Sequence, residues 1–321
     1  MVTENKKKRG LIIVSNRLPL SVKEENGTYK SSLSSGGLVT ALSGLTKSTN
    51  FRWFGWPGKA IEDPEEQKKV SDALAENSAV GIFLSEQLAQ DHYNKFSIAF
   101  NEDAWEAYQR VNEIFADTVA KEAANGDLIW VHDYHLLLLP SLLRERLKKQ
   151  GKNCPIGFTL HTPFPAEDFW RAIPVQKDLL KGLLACDVIG FHTDEGANAE
   201  KEGQLEYEGH TACVGTFVVG IDPQKFNDSM QDPDVQKRIK ELERRYEGKT
   251  VIIGVDRLDY TKGLVQKLEG WDHFLKTYPE LEGKVTLIQV AIPSREDVKE
   301  YQELEKEIST LVGKINGEHG M

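Results

Sequence analysis

Two rhythms of apolar and polar positions alternate along the chain. Short, largely apolar runs at Leu11–Ser15, Arg52–Gly55, Val80–Leu84, Leu128–His132, Ile156–His161, Val188–His192 and Cys213–Ile221 read as strands, most of them buried on both faces. Between them, longer segments repeat apolar residues at helical spacing, predicting helices over Leu38–Thr46, Pro64–Ala75, Glu102–Ala124, His135–Gln150 and Val175–Ala185. Asp222-Pro223 and a charged helix, Pro233–Tyr246, lead into a second series, with strands Val251–Val255 and Lys284–Ile292 and helices Leu264–Tyr278 and Glu296–Val312. In the first of those helices Leu264, Leu268, Trp271 and Leu275 share one face.

Strands alternating with helices imply an α/β fold, a mostly parallel sheet with helices on both faces. The expected organisation is a Rossmann-like domain over 1–221, a hinge and linker helix over 222–249, and the start of a second, incomplete Rossmann-like domain over 250–321. Neither an internal repeat nor a low-complexity segment interrupts this layout.

The chain has 321 residues, room for two domains, with 40% hydrophobic and 28% charged residues, as in ordinary globular proteins. A formal charge of −10 argues against a nucleic-acid partner, because such proteins carry a basic face. It leaves phosphorylated substrates open, since local cations decide their binding. The basic run Lys6–Arg9 reads as a solubilising tail. No apolar segment is long enough to span a bilayer, and none near Met1 resembles a signal peptide. Three widely spaced cysteines (Cys154, Cys186, Cys213) lack zinc spacing and suit a reducing compartment, so a cytoplasmic location is expected.

Candidate chemistry collects where strands end. The run Val251–Val255 leads into Asp256-Arg257-Leu258-Asp259-Tyr260-Thr261-Lys262-Gly263, a cation pair on a strand-to-helix turn. Ligands of open α/β sheets bind at such turns, and a helix N-terminus adds free N–H groups. Arg257 offers a planar fork and Lys262 a point charge, which together suit a diphosphate. Two solvated charges on an ordinary loop explain that segment equally well. Near the N-terminus, Ser15-Asn16-Arg17 closes a strand, and Ser35-Gly36-Gly37 precedes a helix as an anion nest would. His132-Asp133-Tyr134-His135 and His161-Thr162-Pro163-Phe164-Pro165 close two more strands. Four strands that each end in Arg, Asp or His favour a binding site. A Rossmann dehydrogenase does not fit, because Ser-Ser-Gly-Gly is not the dinucleotide fingerprint and no ribose-binding acid follows at the expected distance.

Ser-Asn-Arg, Ser-Gly-Gly, His-Asp-Tyr-His, His-Thr-Pro-Phe-Pro, Gly-Phe-His-Thr, Gly-Ile-Asp-Pro, Val-Asp-Arg-Leu-Asp-Tyr-Thr-Lys-Gly and Pro-Ser-Arg-Glu-Asp-Val occur in that order from Leu11 to Gly320. In this the chain closely resembles the trehalose-6-phosphate synthases, retaining glycosyltransferases of the GT-B fold, and most of all the fungal ones. The resemblance implies transfer of glucose from UDP-glucose to glucose-6-phosphate, giving trehalose-6-phosphate and UDP in a cleft between two domains. It assigns Arg17, Tyr93, Asp133 and Arg295 to the acceptor, Gly36, Gly37, Arg257 and Lys262 to the donor diphosphate, and Asp133, His161, Arg257 and Lys262 to the reacting centre. A leaving diphosphate needs a metal ion or fixed cations. Arg257, Lys262 and the glycine nest can serve as the latter, so chemistry without metal or other cofactor is expected. Without an obvious carboxylate nucleophile, retention suits a front-face path in which the departing phosphate oxygen takes the acceptor's proton and His161 positions rather than shuttles. Homo-oligomers or the subunits of a trehalose synthase complex are the expected protein partners.

Three departures from the family pattern qualify the activity. Phe96-Ser97 passes directly into Ile98–Asp103, without the aromatic stretch that supplies a tryptophan to the acceptor site. After His192-Thr193-Asp194, where the family has a long helix and a further strand, only Glu195–Gly209 follows, punctuated by Gly196, Gly203 and Gly209. The sequence stops at Met321, before the acidic motifs that hold the uridine ribose and the donor glucose, so the second domain is expected to expose apolar surface. An inactive fragment, a regulatory subunit that binds sugar phosphate, and a related pseudo-sugar transferase remain the alternatives. The choice among UDP, ADP and GDP donors stays open.

Overall fold

β1 (Leu11–Arg17) runs two residues beyond the strand predicted from Leu11 and serves two cores at once. Ile12 and Val14 join one apolar cluster and Ile13 the other, because successive side chains of a strand point to opposite faces. The computed structural model describes residues 9–25, 27–33, 51–92, 102–192, 203–218, 220–293 and 299–319. The chain divides into two compact units, Met1–Asp222 and Pro223–Met321.

In the first unit β2 (Leu20–Glu25) and β3 (Thr28–Leu33) form an antiparallel hairpin outside the main sheet, an element the apolar runs do not announce. β4 (Phe51–Trp56) pairs with β1. α1 (Pro64–Ala75) begins at a strong sequence signal: Asp63 accepts from the N–H groups of Glu65 and Glu66, and Pro64 occupies a position that needs no donor. β5 (Ala79–Gly81), α2 (Glu86–Gln90), α3 (Glu102–Glu122) and β6 (Leu128–His132) follow. The helix expected over His135–Gln150 is divided into a 3₁₀ turn, Tyr134–Leu136, and α4 (Leu139–Lys149), with Pro140 in the first turn of the latter. The unit continues through β7 (Ile156–Thr159), α5 (Glu167–Ala172), α6 (Gln176–Leu184), β8 (Val188–Phe191), β9 (Gly203–Tyr207) and β10 (His210–Thr216).

Among the described residues the main sheet has the order β5-β4-β1-β6-β7-β8-β10-β9, parallel throughout except for β9, which runs antiparallel to β10. Strands expected to reach Leu84 and Ile221 stop earlier, at Gly81 and Thr216. The glycine-punctuated stretch before β10 holds the edge strand β9, closed on β10 by Glu208 and Gly209, both at positive φ. The chain steps outward from β1 through β4 to β5 and then returns to the other side of β1 at β6. That reversal makes the carboxyl ends of β1 and β6 a topological switch point, where open sheets bind ligands.

The second unit contains α7 (Pro223–Ser229), α8 (Pro233–Arg245), β11 (Thr250–Arg257), a 3₁₀ turn at Tyr260–Lys262, α9 (Leu264–Thr277), β12 (Val285–Ile292) and α10 (Lys299–Glu318). α8 buries no residue, in keeping with its charged sequence. β11 and β12 pair in parallel as a two-stranded sheet. Leu264, Leu268, Trp271 and Leu275 bury the predicted face of α9 against Val285, Ile308 and Ile315. The opposite side of the sheet, with Val251, Ile253, Val255 and Val290, is open, and Ile253 is 69% exposed. Among the described residues the two strands have helices for one face only, which leaves the apolar surface expected from the sequence. The helix expected over Leu38–Thr46 lies outside the described residues.

Candidate active site

At the end of β1 the pairing with β4 becomes irregular between Val14 and Arg17. Trp53 Nε1 donates to Ser15 Oγ (2.7 Å), and that hydroxyl donates to the Arg17 carbonyl (2.8 Å), which fixes the exit of the strand. The exposed Arg17 guanidinium lies 5.8 Å from the centre of the Trp56 ring. Gly58, at φ 85°, makes room for it: a Cβ there would come within 2.5 Å of Arg17 Nε and Nη2. Trp56 Nε1 is buried without a partner among the described residues. A cationic fork thus sits, backed by an indole, at the switch point of the sheet, where it can take a phosphate bidentately.

Asp133, just after β6, adopts φ 73° and ψ 166°, a region that is nearly glycine-only. Its N–H donates to the Thr159 carbonyl (2.8 Å), and its Oδ1 accepts from the His161 N–H (3.3 Å). Burial pushes the Asp133 carboxyl above the usual carboxylate range, and hydrogen bonds from the Tyr134 and His161 backbones with the His161 charge oppose that rise. Beside it, three histidines from neighbouring strands stand in file. His132 Nδ1 meets His161 Nε2 at 2.9 Å, His161 Nδ1 meets His192 Nε2 at 2.9 Å, and His192 Nδ1 meets the Phe217 carbonyl at 3.1 Å. Burial drives His132 down to about 3, helped by the charges of His161 and His192. Burial also lowers His161, against the pull of Asp133. Behind these loops lies an apolar hollow of about 350 Å³ lined by Tyr134, Leu160, Phe164, Trp170 and Leu183 among others.

In the second unit Arg257 closes β11, and its Nη2 lies 3.7 Å from Asp259 Oδ2. The other carboxylate oxygen of Asp259 accepts from the N–H and the hydroxyl of Thr261, both at 2.9 Å. This local turn carries the chain through Lys262 to Gly263, whose φ of 62° starts α9. Arg257 and Lys262 are both exposed. Asp256 is held below the usual carboxylate range by hydrogen bonds from Lys267 and then Gln289, with the Lys267 and Lys262 charges adding to them. Gly36, Gly37, Tyr93 and Arg295 lie outside the described residues. Of the residues singled out from sequence, the structure therefore groups Asp133 and His161, puts Arg17 at the switch point of the same sheet, and puts Arg257 and Lys262 on one turn of the other unit.

The sequence pattern described as Glycosyltransferase family 20 matches residues 9–321. The chain belongs to glycosyltransferase family 20. Among relatives of this family-20 chain, the alpha,alpha-trehalose-phosphate synthase [UDP-forming] 1 of Aspergillus fumigatus is 47% identical over 339 residues, covering 97% of the chain and 65% of the relative. The 56 kDa subunit of the Saccharomyces cerevisiae enzyme is 44% identical over 357 residues, covering 100% of the chain and 72% of the relative. The chain thus spans about two thirds of the length of these relatives. Both alignments are longer than the 321 residues of the chain, so the relatives carry residues with no counterpart in it. Among solved structures, one from E. coli, bound with UDP-2-fluoro glucose, matches 97% of the chain at 28% identity and a TM-score of 0.78. A Burkholderia xenovorans alpha,alpha-trehalose-phosphate synthase in complex with glucose-6-phosphate matches 97% at 27% identity and 0.80. The α/β architecture of this family-20 chain is accordingly GT-B.

Two residues that touch the strand-end candidates escaped the sequence reading. His192 was visible within Gly-Phe-His-Thr as one more strand-end histidine, and Trp56 as the indole following Gly55. Only the lateral order of strands shows what each touches. A further cluster, Asp272, Glu318 and His319, lies in the second unit with its ligand atoms within 4.8 Å of one another. Lys276 already contacts both carboxylates, at 2.6 and 3.0 Å, and His319 is shared between Asp272 and Glu282. Ion pairs rather than a metal account for that cluster.

Proposed function

We propose that this chain serves in trehalose biosynthesis as a retaining glucosyltransferase, moving glucose from UDP-glucose to glucose-6-phosphate in the cytoplasm and without metal. The observation that carries the reading is the convergence of Arg17, Asp133 and His161 on the carboxyl edge of one parallel sheet, in a chain with the family-20 pattern from residue 9 to residue 321. Arg17 faces the acceptor phosphate. Tyr93 and Arg295 are assigned to the same acceptor, and Gly36 and Gly37 to the donor diphosphate, by their motifs alone. Arg257 and Lys262 hold that diphosphate and stabilise the charge that builds on it as the sugar departs. Asp133 and His161 orient the sugars at the reacting carbon.

The purified chain, incubated with UDP-glucose and glucose-6-phosphate in the presence of chelator, is expected to yield trehalose-6-phosphate. Its absence from a folded, monodisperse sample sinks the reading for this chain alone. Arg257→Ala is expected to lower kcat by about a hundredfold to a thousandfold, as loss of a transition-state charge partner does. Arg17→Ala is expected to act mainly on the KM for glucose-6-phosphate, and the reverse pattern would overturn both roles. The open apolar face of β11 and β12 favours one other reading, a sugar-phosphate-binding subunit completed by a homo-oligomeric or heterologous partner. That reading predicts glucose-6-phosphate binding without turnover until the partner is added.

A further inference from the structure

We propose that His132 and His192 are positioning residues that lock the His161 ring in its Nδ1–H form, as the two ends of a one-directional file of three imidazoles. The kinetic part of this inference rests on the glucosyl-transfer reading above, and the spectroscopic part does not.

The file follows from strand order. β6, β7 and β8 are consecutive parallel neighbours, with His132 the last residue of β6, His161 two residues past β7 and His192 one residue past β8. Ring centres are 5.1 Å apart for His132 and His161 and 4.8 Å apart for His161 and His192. Each 2.9 Å nitrogen–nitrogen contact holds one proton, shared by one donor and one acceptor. The direction of donation is set at the outer end, because the Phe217 carbonyl can only accept. His192 must therefore carry its proton on Nδ1, and in a neutral ring this leaves Nε2 bare. The bare nitrogen requires a proton on His161 Nδ1, which leaves His161 Nε2 bare in turn. That nitrogen requires a proton on His132 Nδ1. Three neutral rings then have a single proton arrangement, with all three in the Nδ1–H form. Burial favours the neutral form of both His132 and His161, with Asp133 the carboxylate facing the latter.

The same geometry rules out a proton wire. One end of the file abuts a carbonyl, which takes no proton, and the other is His132 Nε2, buried with no partner among the described residues. Both ring nitrogens of His161 are engaged, so it cannot act as a general base without breaking the file. With its backbone N–H held by Asp133 and its ring by a histidine on each side, His161 orients the sugars through its carbonyl oxygen and ring edge, which the file keeps in place.

The test uses the whole chain labelled with ¹⁵N-histidine, with long-range ¹⁵N–¹H correlations assigned by single substitutions. All three rings are expected as Nδ1–H, and His161 as Nε2–H in the unsubstituted chain overturns the proposal. His192→Phe removes the acceptor of the His161 Nδ1 proton, and His161 is expected to shift toward Nε2–H; no change of tautomer also overturns it. His192→Gln is expected to restore the lock, because its amide oxygen can accept from His161 while its N–H donates to the Phe217 carbonyl. In the glucosyl-transfer assay His192→Phe is expected to lower kcat by about tenfold with little change in the KM for glucose-6-phosphate, as loss of an orienting partner does. His192→Gln is expected to recover most of that loss. Tautomers that respond while kcat does not would refute the positioning role. A chain with the expected tautomers and no trehalose-6-phosphate product would refute the substrate reading and leave the lock standing.

Discussion

The two units treat the same kind of strand in opposite ways. In the first, β1 and β6 are flanked on both edges and covered on both faces, with Ile12, Ile13, Val14 and Val131 all essentially inaccessible. In the second, β11 has a comparable run of branched residues, yet Ile253 and Val255 are 69% and 61% exposed. Sequence pattern alone does not bury a strand; lateral neighbours and a second helical layer do. A continuous apolar run therefore states what a strand requires, and the contrast shows one unit supplying it and the other leaving half of it open.

Core truncation tests this contrast most strongly. Phe115→Ala is expected to destabilise the first unit by about 3–5 kcal/mol in denaturant unfolding, because its ring is fully buried among α3 neighbours and β-strand side chains. Ile253→Ala is expected to change the second unit by less than about 0.5 kcal/mol, as substitutions at exposed positions usually do. An equally large loss at Ile253 would mean that another surface covers β11 in solution.

Acid sharpens the comparison through two oppositely shifted sets of histidines. In the first unit burial lowers His92 to about 4 and His132 to about 3. Both bind protons more weakly folded than unfolded, so stability is lost as pH falls below about 6.5, by roughly 2 kcal/mol for each at pH 5. The raised Asp133 has the opposite sign and offsets part of this loss. In the second unit His319 is raised, first by Glu282 and then by Asp272, so its contribution is full below the unfolded value and fades as pH rises through the folded one. Unfolding followed separately by Trp53 or Trp130 and by Trp271 fluorescence in single-tryptophan variants is expected to show opposite pH slopes between pH 7 and pH 5. His132→Phe, if folded, is expected to flatten the first slope and leave the second unchanged.

The smallest effect comes from a matched pair of helix caps. Asp63 caps α1 and Asp232 caps α8, each followed by a proline. Asp63→Ala is expected to lower the stability of the first unit by about 1 kcal/mol, since α1 buries Val70, Ala73 and Leu74. Asp232→Ala is expected to fray α8 alone, because that helix buries nothing, and hydrogen exchange would show it without a shift in the unfolding midpoint. Equal shifts in both midpoints would contradict the view of α8 as an independent segment.

How far the sequence could be read follows the same division. β6 ends at His132 and α1 spans Pro64–Ala75 where expected, because an uninterrupted apolar run and a proline after a capping aspartate are local signals. The β2–β3 hairpin was missed because Lys23, Glu24 and Lys30 dilute its alternation. β9 was missed because it is a half-polar edge strand, which needs only one partner. The strand-end positions of Arg17, Asp133, His161, Arg257 and Lys262 were legible, since polar side chains after apolar runs stand out. The histidine file was not legible. Its members are 29 and 31 residues apart and become neighbours only through the lateral order of three strands.

One backbone angle has an evolutionary consequence. Asp133 keeps its carboxylate at the strand end in a conformation that glycine would adopt freely, a strain of about 1–3 kcal/mol for other residues. Asp133→Gly would relieve that strain while removing the group that holds the His161 backbone. A screen rewarding heat resistance alone would enrich glycine at this position, and on the glucosyl-transfer proposal a screen rewarding turnover would purge it. On that proposal, aspartate there trades the durability of the fold for the reaction.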